Sequence, residues 1–164
     1  MKKLKQNKFL GGGFTLIEVA VVMGIFVVLA SFTTVNLLAP QRSADLNSTL
    51  TSITSDIRQQ QARSMLGESG GGPSAVLHGI FFEGTKYTLF KGASYNPSDP
   101  SNFVVDLPAS VSLATSFPGS VVVFNLQSGE VNGFVDGSNT VTLHSSGGQS
   151  KVLTFNKYGA ISVN

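Results

Sequence analysis

The chain opens on a basic segment, Met1 to Lys8, then the glycines Gly11 to Gly13, then a run from Phe14 to Leu38 that is apolar apart from Thr15, Glu18, Ser31, Thr33, Thr34 and Asn36. A helix built from that run is apolar on every side, with Gly24 in its middle. At about 1.5 Å per residue its length is roughly 37 Å, which predicts a transmembrane helix crossing a bilayer core with tilt. An ordinary secretory signal is cut at a small-residue site after its apolar region. Here no such site follows the run, and the small residues precede it. A cut among the glycines therefore leaves the apolar helix as the permanent N-terminus.

One acid interrupts this run. An ionisable group inside a membrane span costs about 2.5–3.5 kcal/mol on insertion scales, so Glu18 calls for a partner. No Lys, Arg or His lies between Phe14 and Leu38. The nearest available cation is the amine released at Phe14 by a cut after Gly13. The plainer alternative is a simple signal anchor with Glu18 near the membrane interface. The chain carries +2 formally, with a pI near 9.0. Four of its 11 basic residues, Lys2, Lys3, Lys5 and Lys8, precede the glycines, which leaves seven against 9 acids and a balance of about −2 beyond the leader. Those lysines set the orientation, because cytoplasmic flanks carry the excess of Lys and Arg; the remainder is expected on the outer side of the inner membrane.

Pro40 marks a boundary or kink, since it lacks an N–H and crowds the preceding turn. Beyond it Leu46, Leu50, Ile53 and Ile57 recur at helical spacing, with Asp45, Ser48, Asp56, Arg58 and Gln59 off the stripe, which picks up again near Ser64 and Met65. The expectation is an amphipathic helix from 40 to 66 that packs one face on a β domain. Gly67 and the run Ser69 to Pro73 end it, and 67–74 reads as a mobile glycine-rich linker. From 75 to 164 the texture is that of an antiparallel β domain. Candidate strands are Ala75–Glu83, Lys86–Lys91, Asn102–Asp106, Ser110–Thr115, Ser120–Leu126, Glu130–Val135, Thr140–Ser145, Ser150–Asn156 and Ala160–Val163, and turns about every ten residues suggest meanders.

The stretch Gly13-Phe14-Thr15-Leu16-Ile17-Glu18-Val19 resembles the leader junction and N-terminal helix of type IV pilins and type II secretion pseudopilins. In the β domain, His78-Gly79-Ile80-Phe81-Phe82, Tyr87-Thr88-Leu89-Phe90 and Phe155-Asn156-Lys157-Tyr158-Gly159-Ala160-Ile161 look like the strand patterns of H-type pseudopilins and of FimT and FimU minor pilins. The resemblance implies that 1–13 is a prepilin leader cut between Gly13 and Phe14 by a prepilin peptidase, and that the Phe14 amine is N-methylated. It implies that 14–39 is a transmembrane and filament-core helix, in which Glu18 neutralises the Phe14 amine of a neighbouring subunit during assembly. The implied fold class is α+β, a long N-terminal membrane-spanning helix packed by its C-terminal half on an antiparallel β domain. Implied partners are other pilin or pseudopilin subunits, the peptidase and an inner-membrane assembly platform. The implied location is a single-pass inner-membrane protein with its C-terminal domain periplasmic or extracellular, and a filament after assembly.

Catalytic and cofactor chemistry finds little support in the residues. Zero cysteines exclude thiolate metal sites and thiol nucleophiles. His78 and His144 stand far apart, whereas a zinc site wants three or four convergent ligands. Major pseudopilins carry a calcium loop near the C-terminus, but calcium needs six to eight oxygens, several from carboxylates, and no Asp or Glu follows Asp136. The oxygen-rich stretch Ser94 to Asn102 reads as a solvated connection around Asp99. Neither enzyme activity nor a cofactor or metal is expected. Some FimT-like proteins serve in DNA uptake, so a DNA-binding minor pilin is the alternative. Phosphate binding wants clustered Lys and Arg, and the β domain offers only Lys86, Lys91, Lys151 and Lys157, so nucleic acid is a minority expectation.

Overall fold

A computed structural model describes residues 13–69 and 71–164, with the side chains of 32–39 outside the description. The chain divides into two compact units, Met1–Leu38 and Ala39–Asn164, and each is taken by itself. Helix α1, Leu16–Leu66, runs through both, with Pro40 inside it. Its start is capped by Thr15, whose Oγ1 accepts the Glu18 N–H at 3.3 Å. Thr15 thus supplies the hydroxyl cap of the first turn, and the Glu18 carboxylate lies in that turn, where the positive end of the helix dipole favours it.

The membrane-spanning helix expected as part of the fold class is overturned: among the described residues no helix is long and apolar enough to cross a membrane. The first stretch of helix with described side chains runs from Leu16 to Ser31. That is ~24 Å of helix, short of a hydrocarbon core of ~30 Å. The remaining positions of the expected span, 32–39, have no described side chains.

In the second unit the stripe is in place. Leu46, Ile53 and Ile57 are fully buried and Leu50 packs against the same cluster. The stripe continues at helical spacing through two polar residues, Gln60 and Ser64, both buried, while Met65 faces out. Ser64 is tolerated because its Oγ accepts the His78 N–H at 2.8 Å. The helix ends in a Schellman motif: Glu68 N–H donates to Arg63 O at 3.0 Å and Gly67 N–H to Ser64 O at 3.1 Å, with Gly67 at φ +65°. An Arg63–Glu68 ion pair at 3.4 Å stands where a hydrophobic contact usually accompanies this motif. The expected linker is anchored to the helix end through Glu68, whose carbonyl accepts the Val76 N–H at 3.5 Å and lies 3.1 Å from His78 Nε2.

Two four-stranded antiparallel sheets follow. The strands are β1 (His78–Phe82), β2 (Lys86–Lys91), β3 (Phe103–Asp106), β4 (Val111–Thr115), β5 (Val121–Phe124), β6 (Thr140–Ser145), β7 (Ser150–Phe155) and β8 (Ile161–Val163), with a 3₁₀ turn at Pro118–Ser120 before β5. The first sheet has the order β3-β2-β1-β5 and the second β4-β6-β7-β8. The meanders β1-β2-β3 and β6-β7-β8 match the turn spacing, whereas β4 joins the second sheet and β5 returns to the first. Leu113 N–H of β4 donates to Gly84 O of the β1–β2 turn at 2.9 Å, tying the sheets at one end.

The candidate strand Glu130–Val135 does not form. Gly129 and Gly133, at φ +67° and +64°, break the extended backbone on both sides, leaving one bridge, Phe124 to Val131. Val131 N–H instead donates to Lys157 O at 3.0 Å and Asn132 N–H to Val123 O at 2.8 Å, so the segment stitches one sheet to the other. The core fills with Ile80, Phe82, Tyr87 and Phe124 from the first sheet and Val141, Leu143, Leu153 and Phe155 from the second, under the helix stripe. Phe117 and Phe155 meet edge to face at 5.1 Å.

Candidate functional site: an exposed apolar helix and a polar cleft

Gly13, Phe14 and Glu18, the residues singled out for processing and assembly, lie in the first unit. A Cβ at Gly13 would meet nothing within 4 Å, so the backbone there is open. Phe14 is 83% exposed, and so in the main are the large apolar residues after it: Leu16, Ile17, Val19, Val21, Val22, Met23 and Ile25 to Leu29. Phe14, Glu18, Val19, Val22 and Met23 line one shallow surface groove, which puts Glu18 beside Phe14 one helical turn on. Glu18 forms no ion pair among the described residues. The Thr15 cap is a role that sequence reading passed over, although Thr-x-x-Glu before an apolar run is the signature of a capped helix start.

The second unit carries a cleft of about 430 Å³ between the C-terminal half of α1 and the β1–β2–β3 face. From the helix, Asp56, Gln60 and Arg63 enter its lining at spacings of four and three, one face of the helix. Asp56 Oδ2 accepts the Tyr87 hydroxyl at 2.6 Å. Burial, with that hydrogen bond and the nearby carboxylate, pushes the Tyr87 hydroxyl far above its ordinary value. Gln60 is 1% exposed, and its Oε1 has no hydrogen-bond partner. Sequence reading set Asp56 aside as off-stripe and did not register Gln60. An acid one turn before a glutamine on the edge of an apolar stripe was the available signal.

The other sequence candidates are dispersed. His78 is buried at the start of β1, and His144 is exposed on β6. Among the described residues no group of His, Asp and Glu is placed to hold a metal ion. Lys86 and Lys91 stand at the two ends of β2, Lys151 on β7 and Lys157 in the β7–β8 connection, so the four are split between sheets. Lys86 pairs with Glu83 at 3.5 Å. Asp99 folds its own loop, accepting Ser101 N–H at 2.8 Å and Ser101 Oγ–H at 2.6 Å, which together hold its carboxyl below the ordinary range. On the opposite flank of the helix Gln61 Nε2 donates to Gly129 O and to Tyr158 O, both at 2.9 Å.

No family model matches this chain. No curated protein and no solved structure matches it either.

Proposed function

We propose that this protein is a structural subunit of a pilin-like filament, matured by a cut between Gly13 and Phe14 and joined to further subunits through the exposed helix that follows. One observation carries the reading: from Phe14 to Leu29 nearly every large apolar side chain of a helix is exposed, with no polar face among the described residues to solvate it. Patches of this extent on a single element mark an interaction surface. Like helices from other subunits cover such a surface on all sides, whereas one groove in one partner covers a single face. The sequence Gly13 to Val19 supports the same reading through its resemblance to pilin leader junctions. In it Glu18 acts twice, as the acid favoured in the first turn of its own helix and as the group that neutralises the Phe14 amine of a neighbour.

Two substitutions test the second role. Glu18→Gln keeps the hydrogen-bonding shape that a capping box accepts and removes the charge. The expected outcome is normal processing, read by mass spectrometry as an N-terminus at methylated Phe14, with incorporation into filaments lost for both Glu18→Gln and Glu18→Ala. Filaments of normal length from Glu18→Gln would reduce Glu18 to its place in the first turn. A mature N-terminus anywhere other than Phe14 would remove the pilin-like reading itself.

A further inference from the structure

We propose that the β3 edge of the first sheet receives an extended polypeptide segment of a partner, which adds as a fifth strand and seats one lysine or arginine side chain in the cleft beside α1. This assignment concerns the second unit alone and stands whether or not the helix of the first unit builds filaments.

Strand β3 pairs only with β2, and Phe103 to Asp106 make no backbone hydrogen bond outside that ladder. Exposed edges are usually blunted by lysine, proline, a bulge or a covering loop. Here the sequence is Phe-Val-Val-Asp, with Phe103 64% and Val104 48% exposed. Two of the other edges are tied at one point each, where Asn132 N–H reaches the β5 carbonyl of Val123 and Leu113 N–H of β4 reaches Gly84 O, and the remaining edge, β8, is only three residues long. An edge with open N–H and C=O groups and exposed apolar side chains is the surface to which extended peptides add.

The cleft supplies the specificity. The β2–β3 register ends at Leu89 with Phe103, so Phe90 and Lys91 run on past the start of β3, and the lining of the cleft includes this end of β2. Two acceptors from one helix face line it: Asp56, which has no ion pair among the described residues, and the unpartnered Gln60 Oε1. Unmet acceptors ask for a donor, and an unpaired carboxylate asks for a cationic one. Of the cations in the lining, Arg63 is already paired, its Nε 3.4 Å from Glu68 Oε2, and neither Arg63 nor Lys91 forms an ion pair with Asp56 among the described residues. Leu89 and Phe103, paired across β2 and β3 and so on one face of the sheet, give an apolar wall for the methylene stem of a long basic side chain.

The test uses the full chain in mild detergent and a fluorescein-labelled peptide of alternating valine and threonine with one central lysine, followed by anisotropy. The lysine peptide is expected to bind at least ~10-fold tighter than its norleucine counterpart, the discrimination typical of a charge-assisted hydrogen bond in a part-buried site. N-methylation at alternate backbone nitrogens is expected to abolish binding. Asp56→Asn, which keeps an acceptor for Tyr87, and Gln60→Met, which keeps the volume, are each expected to weaken the lysine peptide by ~10-fold and leave the norleucine peptide unchanged. Equal binding of the two peptides would overturn the cleft assignment. Undiminished binding of the N-methylated peptide would overturn strand addition. Competition by lysine methylamide as effective as the whole peptide would also overturn strand addition, in favour of a small-molecule site.

Discussion

Gln61 shows what single residues contribute here that no pattern of hydrophobicity reveals. Its amide holds the Gly129 and Tyr158 carbonyls together, and both partners lie far along the chain, in loops whose positions the sequence does not encode locally. Gly159 permits this approach. At φ +77°, a Cβ there would press on the Gln61 amide and lie 2.9 Å from the Gly129 carbonyl oxygen. Gly159→Ala is therefore expected to cost about 1–3 kcal/mol, combining left-handed backbone strain with overpacking, read as a lower urea midpoint at unchanged slope. Tyr87 gives a pH signature. Its hydroxyl titrates higher in the folded chain than in the unfolded one, so its contribution is complete below the unfolded value of about 10 and is lost as pH rises above it. Stability is expected to fall by up to ~1.4 kcal/mol per pH unit through this group alone, and Tyr87→Phe to remove that component. Urea titrations at a series of pH values above about 9 would decide it, with identical pH slopes for the two proteins counting against the burial account.

Among the elements, helices and strands were legible where one period persists. The stripe Leu46, Leu50, Ile53 and Ile57 faces the core as read, and Lys86–Lys91 and Thr140–Ser145 form strands at the residues expected. Legibility failed where polar residues carry the stripe, at Gln60 and Ser64, and where positive-φ glycines interrupt an apolar run, at Glu130–Val135. The exchange of β4 and β5 between sheets was also invisible, because short turns say which strands are near in sequence and nothing about which sheet a longer excursion rejoins. The end of α1 was marked by Gly67, and the structure adds that the glycine closes a double hydrogen bond. Gly67→Ala is expected to destabilise the fold by about 1–2 kcal/mol through its left-handed backbone. A thermal midpoint unchanged from the parent would show the motif to be ornamental.

For the molecule as a whole, the proposed function assigns folding to the second unit and association to the first. Among the described residues, every member of the buried cluster lies at or beyond Leu46, so none comes from the first unit. A chain starting at Ala39 is expected to fold with a thermal midpoint within a few degrees of the parent and to sediment as a monomer, while the full chain associates. Failure of that fragment to unfold cooperatively would place part of the stabilising surface in the first unit. The exposed helix was the most legible part of the sequence and also the place where its reading was corrected, because the described apolar side chains stop short of a membrane thickness.

Pro40 falls just past the border between the units, and its ring nitrogen cannot donate to the carbonyl one turn back. A rod under tension yields first at its weakest rung. Stretching this polypeptide lengthwise is expected to pull out the turn around Pro40 before any of the eight strands behind it.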